Sequence, residues 1–357
     1  MTNLSGDEWD RTISDFADVY YEQTECLQGM QWGDNRVRRV AITINGKIAA
    51  MALVLVFTLP VVKRGLALIK YGPLWRRKGE PADRRILGLA LDALVDQFVT
   101  RERLALSIMP PPDPRFADIY GEELRLRGLK HRVPDGAERF LVNMTLTPDR
   151  QMASLDQRWR RNLRSALKSE LTIGVEAPST SVAEFTALCM SMKERKNYSN
   201  PVWPLFERAL SDSRSTETSS IVVLARENGT PVAGAVVFQI GDTAYYAVGA
   251  SSDRGVDIKA GYALHWWIID WLRGRQCHWY DLGEATPESG LWQFKKGLVG
   301  KEGTIALSPG EYTRAPDLPG ILAAHLLLGV RRARLAVRAL VRDFKELVRS
   351  RRREQKG

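Results

Sequence analysis

Phe294-Lys295 is followed by Lys296-Gly297 and preceded by a polar loop. The loop itself follows a short run ending in Tyr280-Asp281-Leu282-Gly283. A lysine at such a point has two chemical uses. It can stabilise the oxyanion that forms when an amine attacks an ester, or it can neutralise a phosphate. Asp281, at the carboxyl end of its strand, faces the same loop. It can orient the lysine, accept a proton, or cap the following turn. Tyr245 and Tyr246 lie on the strand before Gly249, where alternation sends one inward and the other outward. Glu194-Arg195-Lys196-Asn197-Tyr198 ends a helix. Its arginine fork suits paired phosphate oxygens, and its positive charge equally suits a helix C-terminus. The histidines, His131, His265, His278 and His325, lie in or beside apolar or basic segments and suggest no catalytic pair. Cys277-His278 has no second pair nearby, so no metal site is expected.

The elements that must position these groups come in two similar sets. In the first half, Arg38–Ile44 and Ile48–Thr58 flank Asn45-Gly46, a hairpin signal. Leu66–Tyr71 is a third strand, closed by Gly72-Pro73. A helix over Asp83–Arg101, a strand at Leu104–Met109, a helix over Arg115–Arg127 and a strand at Phe140–Leu146 follow. In the second half, Leu155–Lys168 is a basic helix with an apolar face at Trp159, Leu163 and Leu167. Strand Leu171–Glu176, helices Val182–Lys196 and Pro204–Ser211, three strands between Ser220 and Val248, helix Ile258–Arg273 and strand His278–Leu282 complete it. Two consecutive halves of one type imply a duplicated α/β (α+β) fold with its boundary near Thr147-Pro148-Asp149. The expected domains are 1–147 and 148–312, with a helix over 317–350.

This order of strand, loop, aromatic helix, Tyr-Asp-Leu-Gly strand, second loop and Phe-Lys resembles the second domain of the Fem ligases. Those enzymes have a duplicated N-acetyltransferase-like fold and take their acyl group from aminoacyl-tRNA. Gln28-Gly29-Met30-Gln31-Trp32 with Arg36 resembles the family's opening segment, and Tyr71-Gly72-Pro73 its Gly-Pro turn. The resemblance covers about residues 20–310 and is best after Ser154. It implies a transferase centre at Phe294-Lys295, with Asp281 beside it. It also implies acceptor-holding roles for Arg36, Tyr71, Arg195, Tyr198 and one of Tyr245 and Tyr246. The expected activity is amide formation on a cell-envelope precursor of peptidoglycan type, lipid-linked or nucleotide-linked, with aminoacyl-tRNA as co-substrate and no cofactor. Lys295 is expected to be exposed. The long helical hairpin of larger Fem ligases has no room here.

Two other readings compete. An acyl-CoA-dependent N-acyltransferase acting on an amino sugar or surface polysaccharide would cradle pyrophosphate in a glycine-rich turn at a helix N-terminus. The corresponding stretch, Asp253 to Gly261, lacks that spacing and carries two acidic residues. A non-catalytic, membrane-associated protein that kept the fold is the third.

The 357 residues carry a net charge of +10, and residues 311–357 hold 12 basic and 5 acidic side chains. The basic character is therefore largely a property of the tail. There Leu322, Leu326, Val330, Ala333, Val337, Val341, Phe344 and Val348 form an apolar stripe opposed by arginines. A helix over 318–349 could lie on an anionic membrane or pack on the body. Three dispersed cysteines, an acidic and polar N-terminus and a longest apolar run of about twelve residues, Ile48–Leu59, lead to the expectation of a cytoplasmic chain, which the tail, if it lies on the membrane, would make peripheral to the inner membrane.

Overall fold

The computed structural model describes residues 1–59, 64–133, 136–176, 178–196, 202–211, 220–327 and 329. The chain opens with β1 (Thr2–Asn3) and α1 (Gly6–Ile13), then a 3-10 turn at Tyr21–Gln23 and α2 (Glu25–Trp32). Next come β2 (Val37–Ile44), β3 (Lys47–Leu59), β4 (Arg64–Lys70), α3 (Arg84–Leu94), β5 (Ala105–Met109), α4 (Ala117–Leu126), β6 (Lys130–Val133) and β7 (Glu138–Asn143). The second half holds α5 (Pro148–Ser154), α6 (Gln157–Ala166), β8 (Leu171–Glu176), α7 (Pro178–Lys196), α8 (Trp203–Ser211), β9 (Ser220–Glu227), β10 (Thr230–Gln239) and β11 (Thr243–Ser251). It closes with α9 (Asp253–Asp257), α10 (Ala260–Arg273), β12 (Trp279–Asp281), α11 (Gly290–Val299), β13 (Thr304–Leu307) and β14 (Glu311–Arg314).

Local chemistry sets several of these boundaries. Ser5 and Glu8 close a reciprocal capping box on α1. Asn45 and Gly46 both take positive φ, 50° and 79°, as the tight β2–β3 hairpin requires. The helix expected to reach Arg101 does so, because α3 continues as a π-helical turn over Val95–Arg101.

Two seven-stranded sheets result, ordered β1-β2-β3-β4-β5-β14-β6 and β8-β9-β10-β11-β12-β7-β13. Position by position they match. Each has three antiparallel strands, then a parallel pair (β4 with β5, β11 with β12), then two antiparallel strands. The duplicated α/β architecture expected from the sequence is present.

The boundary near Pro148 does not separate the sheets. β7, expected in the first half, lies in the second sheet between β12 and β13, and β14 fills the equivalent gap between β5 and β6. Phe140, Leu141 and Val142 are fully buried. An unbroken apolar run demands a central strand covered on both faces. Sequence does not say in which sheet. The exchange ties the halves together, and so does a core cluster shared by both. In it Leu53, Leu55 and Leu68 of the first sheet pack with Leu224, Val236 and Phe238 of the second. Two further clusters each belong to one sheet, the first taking in Tyr312 of β14 and the second Phe140 and Val142 of β7.

An ionic cluster adds to the join. Arg76 meets Asp242 at 2.9 Å, Arg115 meets both Asp113 at 2.5 Å and Asp242 at 2.9 Å, and Trp279 donates to Asp113 at 3.2 Å. Burial acts to raise the Asp242 carboxyl, but Arg76 and Arg115 hold it below the usual carboxylate range.

At the C-terminus a helix runs over 318–327. Ala323 and Ala324 are buried against the body, whereas Leu318, Leu322 and Leu326 are exposed. The first two members of the expected stripe, Leu322 and Leu326, therefore face solvent. The rest of that stripe lies outside the described residues. No helix among the described residues is long and apolar enough to cross a membrane.

Candidate active site

The parallel pairs in the two sheets differ at one point. β4 and β5 pair through five registered residues, Leu66 with Ala105 to Lys70 with Met109. β11 and β12 pair through only three, from Thr243 with Trp279 to Tyr245 with Asp281. Beyond that point β11 continues to Ser251 while β12 has ended. The strands part, and that edge of β11 is left without a partner strand. Tyr245, Tyr246, Asp281 and Gly283 stand where they separate.

Asp281 is fully buried. Its Oδ1 accepts from the Gly283 backbone N–H at 2.7 Å, which is the capping role, and its Oδ2 pairs with Arg139 at 2.5 Å. Arg139 comes from β7, the exchanged strand. Its second terminal nitrogen is 3.8 Å from Glu284, and its Nε has no hydrogen-bond partner among the described residues. The guanidinium also lies over the rings of Tyr245 at 5.4 Å and Tyr71 at 5.8 Å. Tyr71 holds φ 52° at the end of β4, just before the Gly72-Pro73 cis bond, and stacks edge-on with Tyr20. Burial pushes its hydroxyl up to about 12, against the pull of Arg139.

Glu22, on the 3-10 turn, completes the cluster from the first half. It is buried, and its Oε2 has no hydrogen-bond partner among the described residues. Burial raises its carboxyl above the ordinary glutamate value, partly offset by Lys70 and Arg139. Its charge reaches Tyr21 and Tyr245, whose rings stack at 5.1 Å.

Lys295 sits in α11, whose first turn is capped by Ser289. The expected exposure is wrong: only 4% of the residue is accessible. α11 packs on β7, β13 and α6, and the lysine side chain reaches from it to the end of β12. Nζ donates to the Glu284 carbonyl at 2.7 Å and lies over the Tyr246 ring at 5.8 Å. Burial pulls its pKa down to about 8, with Asp281 opposing. The ammonium is thus held chiefly by a neutral carbonyl. Gly283 turns at φ 73°, a backbone conformation that favours glycine. A Cβ there would stand 3.6 Å from the Tyr245 hydroxyl and 3.9 Å from Lys295 Nζ.

Phe294 faces elsewhere. It packs against Trp159, Tyr262 and His265 at 5.8, 5.0 and 5.3 Å, which anchors α11 to α6 and α10. Tyr246 turns to the same side, edge-on to His265, whereas Tyr245 turns to the cluster shared by the halves. Alternation holds, but neither tyrosine is fully exposed, because both faces of the sheet are covered. Burial pushes His265 down to about 3, with Lys295 adding to the effect, and its Nδ1 lies 3.1 Å from the Tyr280 hydroxyl.

Arg36 is exposed over Phe57 and makes none of these contacts. Arg195 lies in the last turn of α7. Its side chain and all of Tyr198 fall outside the described residues. Sequence reading missed Glu22 and Arg139. Each is a charge abutting an apolar run, Val19-Tyr20-Tyr21 and Phe140-Leu141-Val142, and that was the available signal.

The loop after β11 folds into α9, capped by Ser252 and carrying Asp253 and Asp257, before Lys259 turns into α10 at φ 60°. Negative charge there disfavours a pyrophosphate. Among the described residues no three His, Cys, Asp or Glu side chains are gathered as metal ligands would be.

Residues 153–296 match the family model for the acetyltransferase (GNAT) domain. By sequence, no curated protein matches the chain. By fold, the chain is similar to FemX, with a TM-score of 0.71 and 17% identity, over 89% of this chain and 98% of that one. It is similar to the C-terminal domain of a protein assigned as a lysylphosphatidylglycerol synthetase from Agrobacterium fabrum, with a TM-score of 0.54 and 17% identity over 91% and 96% of the two chains. L-PGS from Bacillus licheniformis shares the fold at a TM-score of 0.52 and 14% identity, over 89% and 94%. The expected likeness of fold to the Fem ligases is present across the whole chain length that these structures cover.

Proposed function

We propose that this acyltransferase, whose second half is an acetyltransferase-type domain and whose whole fold is that of FemX, transfers an aminoacyl group from an RNA ester to an amine. The observation that carries the reading is Lys295. It is a buried ammonium held by a carbonyl, at the point where β11 and β12 part, beside the Gly283 turn. That is the placement an oxyanion stabiliser needs.

The acceptor amine attacks the ester carbonyl carbon. The C–N bond forms as electrons move onto the carbonyl oxygen, whose charge Lys295 offsets. Collapse breaks the C–O bond, and the ribose oxygen leaves as a hydroxyl carrying the proton that the amine has shed. Glu22, with a raised pKa and an unpartnered oxygen, takes the proton shed by the attacking amine. Arg139 offers its Nε as a donor to an anionic part of the acceptor, with the Tyr71 ring beside its guanidinium. The ester is already activated, so positioning and electrostatics suffice and the reaction requires no cofactor.

The folds shared with FemX and L-PGS support an envelope acceptor, a lipid-linked or nucleotide-linked precursor of peptidoglycan type. The tail supports a cytoplasmic enzyme peripheral to the inner membrane. Leu318, Leu322 and Leu326 are exposed, and residues 330–357 hold 11 basic and 3 acidic side chains. The family match favours one rival, acyl transfer from acyl-CoA. The acidic residues of α9 oppose it. Incubation of the chain with charged tRNA and, separately, with acyl-CoA, each with candidate acceptors, decides between them. A mass increment on the acceptor from acyl-CoA alone would overturn the proposal.

A further inference from the structure

Away from Lys295, a strong charge feature among the described residues is α6. Arg158, Arg160, Arg161 and Arg164, with Gln157, line a concavity of about 480 Å³. Arg158, Arg161 and Arg164 are exposed. Most arginines among the described residues lie against carboxylates, as Arg226 does with Glu176 and Arg254 with Glu227. None of the α6 arginines does so among the described residues. The nearest carboxylate on the same element, Asp156, is occupied as the N-cap, accepting from the Arg158 backbone. Arg160 is bonded to the Ala153 carbonyl.

Like charges three and four residues apart destabilise a helix. α6 tolerates them because its other face, Trp159, Leu163 and Ala166, is buried. Leu167, expected on that face, is exposed instead, since the helix has ended at Ala166. The buried face fixes α6 to the helix that bears Lys295. Trp159 packs on Phe294, a Cβ on Gly297 would stand 3.0 Å from the Trp159 ring, and the Asp156 N–H donates to the Gly297 carbonyl at 3.0 Å. Any anion seated on the arginines is therefore held at a set position relative to Lys295.

We infer that the arginine face of α6 is the seat for backbone phosphates of the RNA strand that carries the donor ester. This rests on the aminoacyl-ester reading above and gives it a binding surface. Arginine forks pair with phosphate oxygens, and a row of them one turn apart follows a strand of phosphates where a single site would hold one. A concave surface suits a strand better than it suits a flat bilayer.

The test uses the full chain and fluorescence anisotropy with a labelled hairpin RNA bearing a single-stranded 3′ end. The triple variant Arg158→Gln/Arg161→Gln/Arg164→Gln should keep the wild-type melting curve, because the three side chains are exposed. It should bind this RNA roughly 10- to 100-fold more weakly at low salt, and the slope of log K against log salt should fall by about two to three. Arg85→Gln, an exposed arginine on α3, should change neither. Unchanged RNA affinity and slope in the triple variant, while wild type transfers from charged tRNA, overturns the α6 site and leaves the function standing. A wild type that binds no RNA and transfers from acyl-CoA overturns both. If the triple variant instead loses affinity only for coenzyme A or for phosphatidylglycerol vesicles, the patch serves those anions and the inference is wrong.

Discussion

Arg139 and Asp281 form a 2.5 Å ion pair with side chains 5% and 0% exposed, and they come from opposite halves of the chain. β7 delivers the arginine into a sheet built otherwise from the second half. The pair places a guanidinium between Tyr71 and Tyr245 and fixes the turn that leads to Gly283.

Breaking that pair by removing one partner leaves a buried charge uncompensated. Asp281→Ala is expected to lower unfolding free energy by about 3–5 kcal/mol. Urea denaturation with an unchanged m-value checks it. A loss under about 1 kcal/mol would mean that water reaches Arg139 readily.

Lys295→Met is expected to lower turnover roughly 100- to 1,000-fold. The lysine is buried, so its removal takes away both a hydrogen bond and the cost of a buried ammonium. Unfolding free energy at pH 7 should stay within about 1 kcal/mol of wild type. The folded-state pKa of about 8 lies below the unfolded value of 10.5. The burial penalty is therefore full below pH 8 and fades as pH rises toward 10.5. If the charged form stabilises the oxyanion, wild-type kcat/KM falls as pH rises through about 8. A rate that keeps climbing past that point would assign the lysine another role.

Glu22→Gln separates stability from activity. The raised pKa means the folded state holds its proton longer than the unfolded chain does. Wild-type stability from this group is thus fullest at low pH and declines as pH rises above 4.5. The glutamine variant lacks that decline and should be more stable at pH 8, with turnover lowered roughly 100-fold or more. Melting curves across pH and single-turnover rates read the two effects. Undiminished turnover would remove Glu22 from the reaction.

Truncation after Gly329 keeps Ala323 and Ala324 in place, so the body should stay folded. It removes 11 basic and 3 acidic residues. Flotation with phosphatidylglycerol liposomes at low salt should recover the full chain and lose the truncated one. Equal recovery of both would end the membrane role of the tail.

Much of the architecture was legible in residue order alone. Apolar runs, Asn45-Gly46, Gly72-Pro73 and the stretch from Tyr245 to Phe294 marked the strands, turns and duplicated halves, because periodicity and turn chemistry are local properties. Lys295 and Asp281 were legible for the same reason, each standing at the end of a recognisable element. Their burial was not, and Phe294, singled out with Lys295, proved to be the packing side of the same helix. Pairing between distant strands is not encoded locally. β7 and β14 each satisfy either sheet by their own sequence, and only the contest for covered central positions sends each into the other half's sheet. That exchange brings Arg139 to Asp281 and closes the halves over Glu22. The charges of this buried cluster therefore come from segments that, read in order, belong to different domains.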